Sequence, residues 1–72
     1  MMVNEVEIKN IEFEQLINVS RRININETFY YKGRFLNYDS IEKIFTISDR
    51  KLGIIKIPFN ELLRIEIIER IL

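Results

Sequence analysis

Few residues in this chain can do covalent or acid–base chemistry. The sequence contains no Cys and no His, which excludes thiol nucleophiles, disulfides and imidazole bases, together with nearly every kind of structural zinc site. The serines are Ser20, Ser40 and Ser48, and no imidazole is present to activate their hydroxyl groups. Nucleophilic catalysis is therefore not expected.

The carboxylates are the remaining candidates for general acid–base catalysis, above all Asp39 with Glu42, and Asp49. Paired carboxylates can hydrolyse glycosidic bonds, but a chain of 72 residues offers little volume for a cleft. Asp side chains often accept hydrogen bonds from the backbone two residues on, so we interpret Asp39 and Asp49 as turn residues. The sequence contains no phosphate-binding loop, dinucleotide-binding fingerprint or calcium-binding loop. We therefore predict a protein that is not an enzyme and has no catalytic residue, cofactor or metal.

The chemistry that remains is binding, and the middle of the chain has a suitable composition. Lys and Arg balance Asp and Glu at 11 each, yet residues 21–56 hold eight cationic and four acidic side chains, a net charge of +4. Small β-barrels stack bases on aromatic side chains that lie beside Lys and Arg. The candidate residues for binding single-stranded DNA or RNA are Tyr30, Tyr31, Lys32, Arg34, Arg50 and Lys51. Because the two Tyr are adjacent, on a strand they point to opposite faces and only one is available.

The apolar residues predict both strands and self-association. They make up 47% of the sequence, and most are β-branched or aromatic, which suits a pleated and half-buried surface. A chain of this length without disulfides or metals buries proportionally little surface. The surplus of large apolar residues therefore indicates a subunit interface, most simply in a homodimer. The candidate interface residues are Ile55, Ile57, Phe59, Ile65, Ile67 and Ile68.

One domain spanning residues 1–72 must position these side chains. Residues 5–20 are predicted to form an amphipathic helix, because Ile8, Ile11 and Leu16 recur at helix-like spacing. Acidic residues lie near its start and two Arg follow its end, which matches the helix macrodipole. The alternation of Val6 with Ile8, and of Ile11 with Phe13, supports a strand as the competing interpretation.

From Ile23 onward the apolar period is two, which predicts strands over residues 23–38, 43–48 and 54–59. Within the first range Asn26-Glu27 is expected to offer a turn. Gly33 is expected to mark a bulge or sharp bend. Residues 60–72 fit either a turn plus a strand or a helix, and for residues 60–67 we favour the turn plus strand. The predicted fold class is α+β: one N-terminal helix packed on a strongly bent antiparallel sheet of three or four strands, with the character of an SH3-like small barrel.

The order of these elements resembles two small protein families. The motifs that carry the resemblance are Tyr31-Lys32-Gly33-Arg34-Phe35, Lys43-x-Phe45-x-Ile47-x-Asp49 and Ile57-Pro58-Phe59-x-x-Leu62-Leu63. Over about residues 26–67 the chain resembles the C-terminal half of YolD-like proteins, small bacterial and prophage proteins with a short helix before a bent sheet and a proposed link to translesion polymerases. In length and number of elements it resembles the Yopt family, described as homodimers of one helix and three strands with no assigned function.

The predicted function is that of a non-catalytic, prophage-type homodimeric interaction module or regulator that docks an unidentified host or phage protein through its surface. The alternative is a small β-barrel that binds single-stranded DNA or RNA. The longest apolar runs are three or four residues, against about 20 for a membrane-spanning helix. Residues 1–7 also lack the features of a signal peptide, so we expect a cytoplasmic protein that does not associate with membranes.

Overall fold

Residues 3–68, the part of the chain that the computed structural model describes, form five antiparallel strands and one short helix. The elements in chain order are α1 (Glu5–Lys9), β1 (Leu16–Asn24), β2 (Glu27–Asp39), β3 (Ile44–Asp49), β4 (Gly53–Pro58), the 3₁₀ turn η1 (Phe59–Glu61) and β5 (Leu62–Ile67). The strands form one sheet in the order β4-β3-β2-β1-β5. The last strand of the chain therefore returns to lie beside the first, and β4 and β5 are the two edges.

The predicted α+β class is wrong, because the protein is mostly β. α1 has five residues and ends at Lys9, whereas a helix was expected over residues 5–20. The side chain of Asn4 caps its start by accepting a hydrogen bond from the Glu7 amide at 3.0 Å. Within residues 3–68, no helix has the length and apolar character needed to cross a bilayer.

Residues 16–20, predicted to be helical, lie in β1. The segment contains two superimposed apolar patterns, since Leu16 and Val19 have helical spacing while Ile17 and Val19 alternate. The alternation prevails, and Ile17 and Val19 are both buried. The reason is that β2 and β5 pair with β1 on its two sides, so β-branched side chains at these positions pack in the centre of a sheet.

The predicted number of strands, three or four, is also wrong. The range expected as strand over residues 23–38 holds the end of β1, a turn and most of β2. The turn lies at Ile25 and Asn26, one residue before the turn expected at Asn26-Glu27. The side chain of Asn24 stabilises this turn, because its Oδ1 accepts a hydrogen bond from the Asn26 amide at 2.9 Å and its Nδ2 donates to Glu27 Oε1 at 2.6 Å.

The second half of the chain follows the prediction closely. β3 and β4 lie within one residue of the strands predicted over residues 43–48 and 54–59. The turn plus strand favoured for residues 60–67 is confirmed by η1 and β5, and the helical alternative is wrong there. The end of the predicted segment, residues 69–72, lies outside the described part of the chain.

The core receives side chains from every strand and from α1. Ile8 of α1 is buried in it, flanked by Val3 and Ile11. The largest fully buried side chains are Phe45, Ile17, Ile47, Ile57, Leu62 and Val19. The rings of Phe35 and Phe45 pack with their centroids 5.2 Å apart, so β2 and β3 are joined through an aromatic contact as well as through their ladder.

Gly33 lies in the middle of β2, paired with Ile17 on one side and Asp49 on the other. A Cβ atom at this position would collide with the backbone carbonyl oxygen of Ser48, so the glycine permits a close approach of two strands. The bulge expected at Gly33 occurs three residues later, where the β2–β3 register shifts at Leu36.

Candidate functional site

Polar side chains from three strands meet on the outer face of the sheet, the face opposite the core. The register aligns Tyr30 of β2, Ser20 of β1 and Arg64 of β5 in one row across the strands. Lys32, Asn18 and Glu66 form the next row. Because residues directly opposite each other in an antiparallel sheet point to the same side, the two rows share one surface.

These rows line an open depression of about 410 Å³. A second depression shares Ser20, Tyr30 and Arg64 with it and adds Arg22. A third shares Lys32 and adds Arg34 and Arg50. We call this continuous surface the outer-face patch, and its residues are Asn18, Ser20, Arg22, Tyr30, Lys32, Arg34, Arg50 and Arg64.

Tyr30 is the aromatic residue of the outer-face patch. Its side chain is 80% exposed, whereas Tyr31 is half-buried and packs against the core. The expectation that only one of these two tyrosines is available is thus confirmed. An aromatic ring with this exposure offers a flat apolar surface to a ligand from solution.

Four of the five cations of the patch are available for a ligand. Arg22, Lys32, Arg50 and Arg64 are exposed, and among residues 3–68 none of these four takes part in an ion pair. Arg34 is held in place, because its Nη1 donates a hydrogen bond to the Glu14 carbonyl oxygen at 3.3 Å.

Acidic groups border the patch. Glu66 accepts a hydrogen bond from Asn18 Nδ2 at 3.4 Å, and Glu7 lines the second depression.

The structure brings together four of the six residues predicted to bind nucleic acid: Tyr30, Lys32, Arg34 and Arg50. Tyr31 adjoins the first depression but faces the core. Lys51 is exposed in the β3–β4 loop next to Arg50, but it lines none of the three depressions. The sequence interpretation missed Arg22 and Arg64. The alternation of Arg64 with Ile65 could have placed it on an outer face, but only the pairing of β5 with β1 brings it beside Tyr30.

The residues predicted to form a subunit interface lie mostly against the core. Ile57 is fully buried. Four others, Ile55, Phe59, Ile65 and Ile67, are half-buried and pack on the core cluster, and only Ile68 is exposed. Five of the six candidate interface residues thus contribute, wholly or in part, to the core of the chain itself.

The carboxylates considered for catalysis form turns and local contacts. Asp39 Oδ1 accepts hydrogen bonds from the Ile41 and Glu42 amides, and Asp49 Oδ1 does the same for Lys51 and Leu52. Within the described residues, no three acidic side chains cluster in a way that could hold a metal ion.

A separate polar contact joins α1 to the β2–β3 connection. Tyr38 Oη donates to Glu5 Oε2 at 2.5 Å, and Lys43 Nζ donates to the same oxygen at 2.9 Å. Burial, together with the hydrogen bond to Glu5, raises the pKa of Tyr38 to about 12. The hydrogen bonds from Tyr38 and Lys43 lower the pKa of Glu5. This contact positions the helix rather than a ligand.

No protein-family model, curated protein or solved structure matches this chain.

Proposed function

We propose that the protein is a non-catalytic binding module that holds single-stranded nucleic acid on the outer-face patch. The observation that carries the proposal is the 80% exposure of Tyr30 on a surface whose cations Arg22, Lys32 and Arg64 have no ion-pair partner among residues 3–68. Stacking of a base on an aromatic side chain contributes about 1–3 kcal/mol. Cations at the edges of the same depression are placed to contact the flanking phosphates.

The geometry supports an unpaired strand as the ligand. A duplex conceals the flat faces of its bases, whereas Tyr30 can stack only on an exposed base. Binding of this kind depends on contacts between cationic side chains and the phosphates of the strand, so the affinity falls as the salt concentration rises. Because the chain has no net charge, we expect modest affinity. A cytoplasmic location is part of this proposal, since the ligand is intracellular.

A fluorescence anisotropy titration with a labelled oligothymidine at low salt tests the proposal. We expect Tyr30→Ala to weaken binding about tenfold, since about 1.4 kcal/mol of stacking corresponds to that factor. Lys32→Glu should weaken binding as well and reduce the slope of log affinity against log salt by about 0.7. The matched control is Lys56→Glu, which changes an exposed lysine on β4 outside the patch and should leave affinity within about twofold.

Two outcomes would contradict the proposal. One is the absence of any binding at low salt. The other is an equal loss of affinity for Lys32→Glu and Lys56→Glu, which would indicate a general response to charge instead of a site around Tyr30.

A second candidate is the interaction module or regulator expected from composition, docking a host or phage protein. The apolar end of the β1–β2 hairpin favours it, because Ile23, Ile25 and Phe29 are exposed there. The hairpin extends beyond its neighbours, since β5 pairs with β1 no further than Arg21. Under this proposal Ile25→Asp abolishes co-purification of the partner, while Ile41→Asp, at an equally exposed isoleucine on the β2–β3 turn, does not.

A further inference from the structure

The free edge of β5 has a charge pattern that is complementary to itself. The backbone pairing shows which groups are free. The Ile68 amide donates to the Leu16 carbonyl oxygen at 3.0 Å, and hydrogen-bonded and non-hydrogen-bonded pairs alternate along an antiparallel ladder. In the register of β1 with β5, the bonds to β1 therefore fall at Glu66 and Arg64, and the backbone groups of Ile65 and Ile67 point away from β1.

We propose that β5 pairs antiparallel with β5 of a second copy of this chain, with Ile65 opposite Ile65 at the two-fold axis. This register joins outward-pointing backbone groups on both copies. It also places Arg64 of each copy opposite Glu66 of the other, twice by symmetry. Those flanking positions are non-hydrogen-bonded pairs, at which side chains of adjacent strands approach most closely.

The charges select this register over its neighbours. Moving the two-fold axis to Glu66 places two carboxylates directly opposite each other, and moving it to Arg64 opposes two guanidinium groups. Like charges at directly opposed positions destabilise a sheet. On the core face the favoured register also brings the half-buried Ile65 side chains of the two copies together, which extends the apolar layer across the axis.

The other edge strand, β4, is protected against the same association. The Phe59 amide donates to the Lys43 carbonyl oxygen at 2.8 Å, so by the same alternation the backbone groups of Ile54, Lys56 and Pro58 face the free side. Pro58 has no N–H to donate, and pairing of β4 with itself about Lys56 would oppose two lysines. Proline and lysine on an edge are common means of preventing strand addition. β5 has neither.

The pairing would create one sheet of ten strands with both outer-face patches on the same side, because a two-fold axis perpendicular to the sheet keeps the faces aligned. The proposal does not depend on the ligand of those patches. Its test accordingly measures association and not nucleic-acid binding, since Arg64 also lies in the patch. In the dimer Arg64 would face Glu66 of the second copy, which leaves Arg22 and Lys32 as cations of each patch without an ion pair among residues 3–68.

The test is size-exclusion chromatography with light scattering over a dilution series of the full chain. We expect the wild-type protein to be a dimer. Arg64→Glu opposes two carboxylates at each flanking position and should raise the dimer dissociation constant at least about tenfold. Glu66→Arg should do the same by opposing two cations. The double variant Arg64→Glu/Glu66→Arg restores opposite charges at both positions and should restore the dimer.

Circular dichroism establishes that each variant is folded, which is expected because both side chains are exposed. Lys56→Glu on β4 is the matched control and should leave the dimer intact. A wild-type protein that is monomeric at every concentration would overturn the proposal. A double variant whose dimer dissociates as readily as those of the single variants would also overturn it. So would a Lys56→Glu variant that dissociates, since that result would indicate pairing of β4 with β5.

Discussion

At the scale of single residues, Gly33 shows how closely the strands approach one another. The position has no room for a side chain, because the Ser48 carbonyl oxygen of β3 occupies the space of its Cβ. Gly53, by contrast, has open space around it and a φ of +82°. The two glycines of this chain are therefore required for different reasons, one steric and one conformational.

We expect Gly33→Ala to lower the free energy of unfolding by about 1–3 kcal/mol, because the new methyl group forces β2 and β3 apart. Denaturant unfolding monitored by circular dichroism measures the change. Gly53→Ala should cost about 1 kcal/mol through its backbone conformation alone. Gly53→Asn should recover most of that loss, since Asn tolerates positive φ. Gly33→Asn, by contrast, should lower the free energy of unfolding more than Gly33→Ala does. If Asn and Ala changed the free energy of unfolding in the same way at both positions, the steric explanation for Gly33 would be contradicted.

The contact between Tyr38 and Glu5 predicts a dependence of stability on pH. The pKa of Tyr38 is raised from 10.0 to about 12 in the folded protein, by burial and then by the hydrogen bond to Glu5. A raised folded pKa means that the stabilisation is complete below pH 10 and is lost as pH rises toward 12. The lowered pKa of Glu5 acts in the other direction, with stabilisation lost as pH falls through its folded value.

Ultraviolet titration of the phenol groups tests this prediction. One tyrosine should ionise near pH 12, and Tyr38→Phe should remove that late transition. Glu5→Gln should lower the pKa of Tyr38 only in part, because burial is the larger cause. A late transition that persists in Tyr38→Phe would show that the assignment is wrong.

At the scale of elements, an ion pair joins η1 to β1. Arg21 Nε of β1 donates to Glu61 Oε1 at 2.6 Å, and the two side chains are 21% and 28% exposed. This contact sets the point at which the chain turns from β4 into β5. It lies next to the irregularity in the β1–β5 register between Ser20 and Arg21, where the ladder by itself is weakest.

Glu61→Gln should therefore lower the free energy of unfolding by about 1 kcal/mol, a value between those of exposed and buried ion pairs. Thermal unfolding measures it. The matched control is Lys43→Gln, which removes the more exposed pair of Lys43 with Glu5 and should lower the free energy of unfolding less than Glu61→Gln does. If the control were the more destabilising of the two, burial would not be what gives the Arg21 pair its strength.

At the scale of the whole molecule, two free edges of one sheet have opposite characters. The β4 edge carries Lys56 and Pro58, and the β5 edge carries the self-complementary pair Arg64 and Glu66. A small sheet without disulfides gains stability from any partner that binds only its folded form. A second copy of the chain is that partner in the arrangement proposed for β5.

If the chain dimerises in this way, its melting temperature rises with protein concentration, because dimer formation is linked to folding. Differential scanning calorimetry over a hundredfold range of concentration should show this rise for the wild type. Arg64→Glu should reduce the rise to near zero, and the double variant with Glu66→Arg should restore it. A concentration-independent melting temperature for the wild type would argue against linkage between folding and association.

Much of the second half of the fold could be predicted from the sequence. The strands within residues 43–67 are rich in β-branched residues and are separated by turn residues such as Asp49 and Gly53 close to the strands that they connect. The absence of Cys and His also excluded thiol and imidazole chemistry without any structure. These properties are local, so the identities of neighbouring residues are enough to determine them.

The tertiary structure decided the rest, because it depends on partners distant in sequence. Residues 16–20 carry both a helical and a strand pattern, and β5, more than 40 residues later, pairs with them as a strand. The same pairing packed Ile65 and Ile67 partly against the core and placed Arg64 beside Tyr30. The alternation of the local sequence indicates which face of a strand a residue can occupy, but only the pairing of strands determines which side chains share that face.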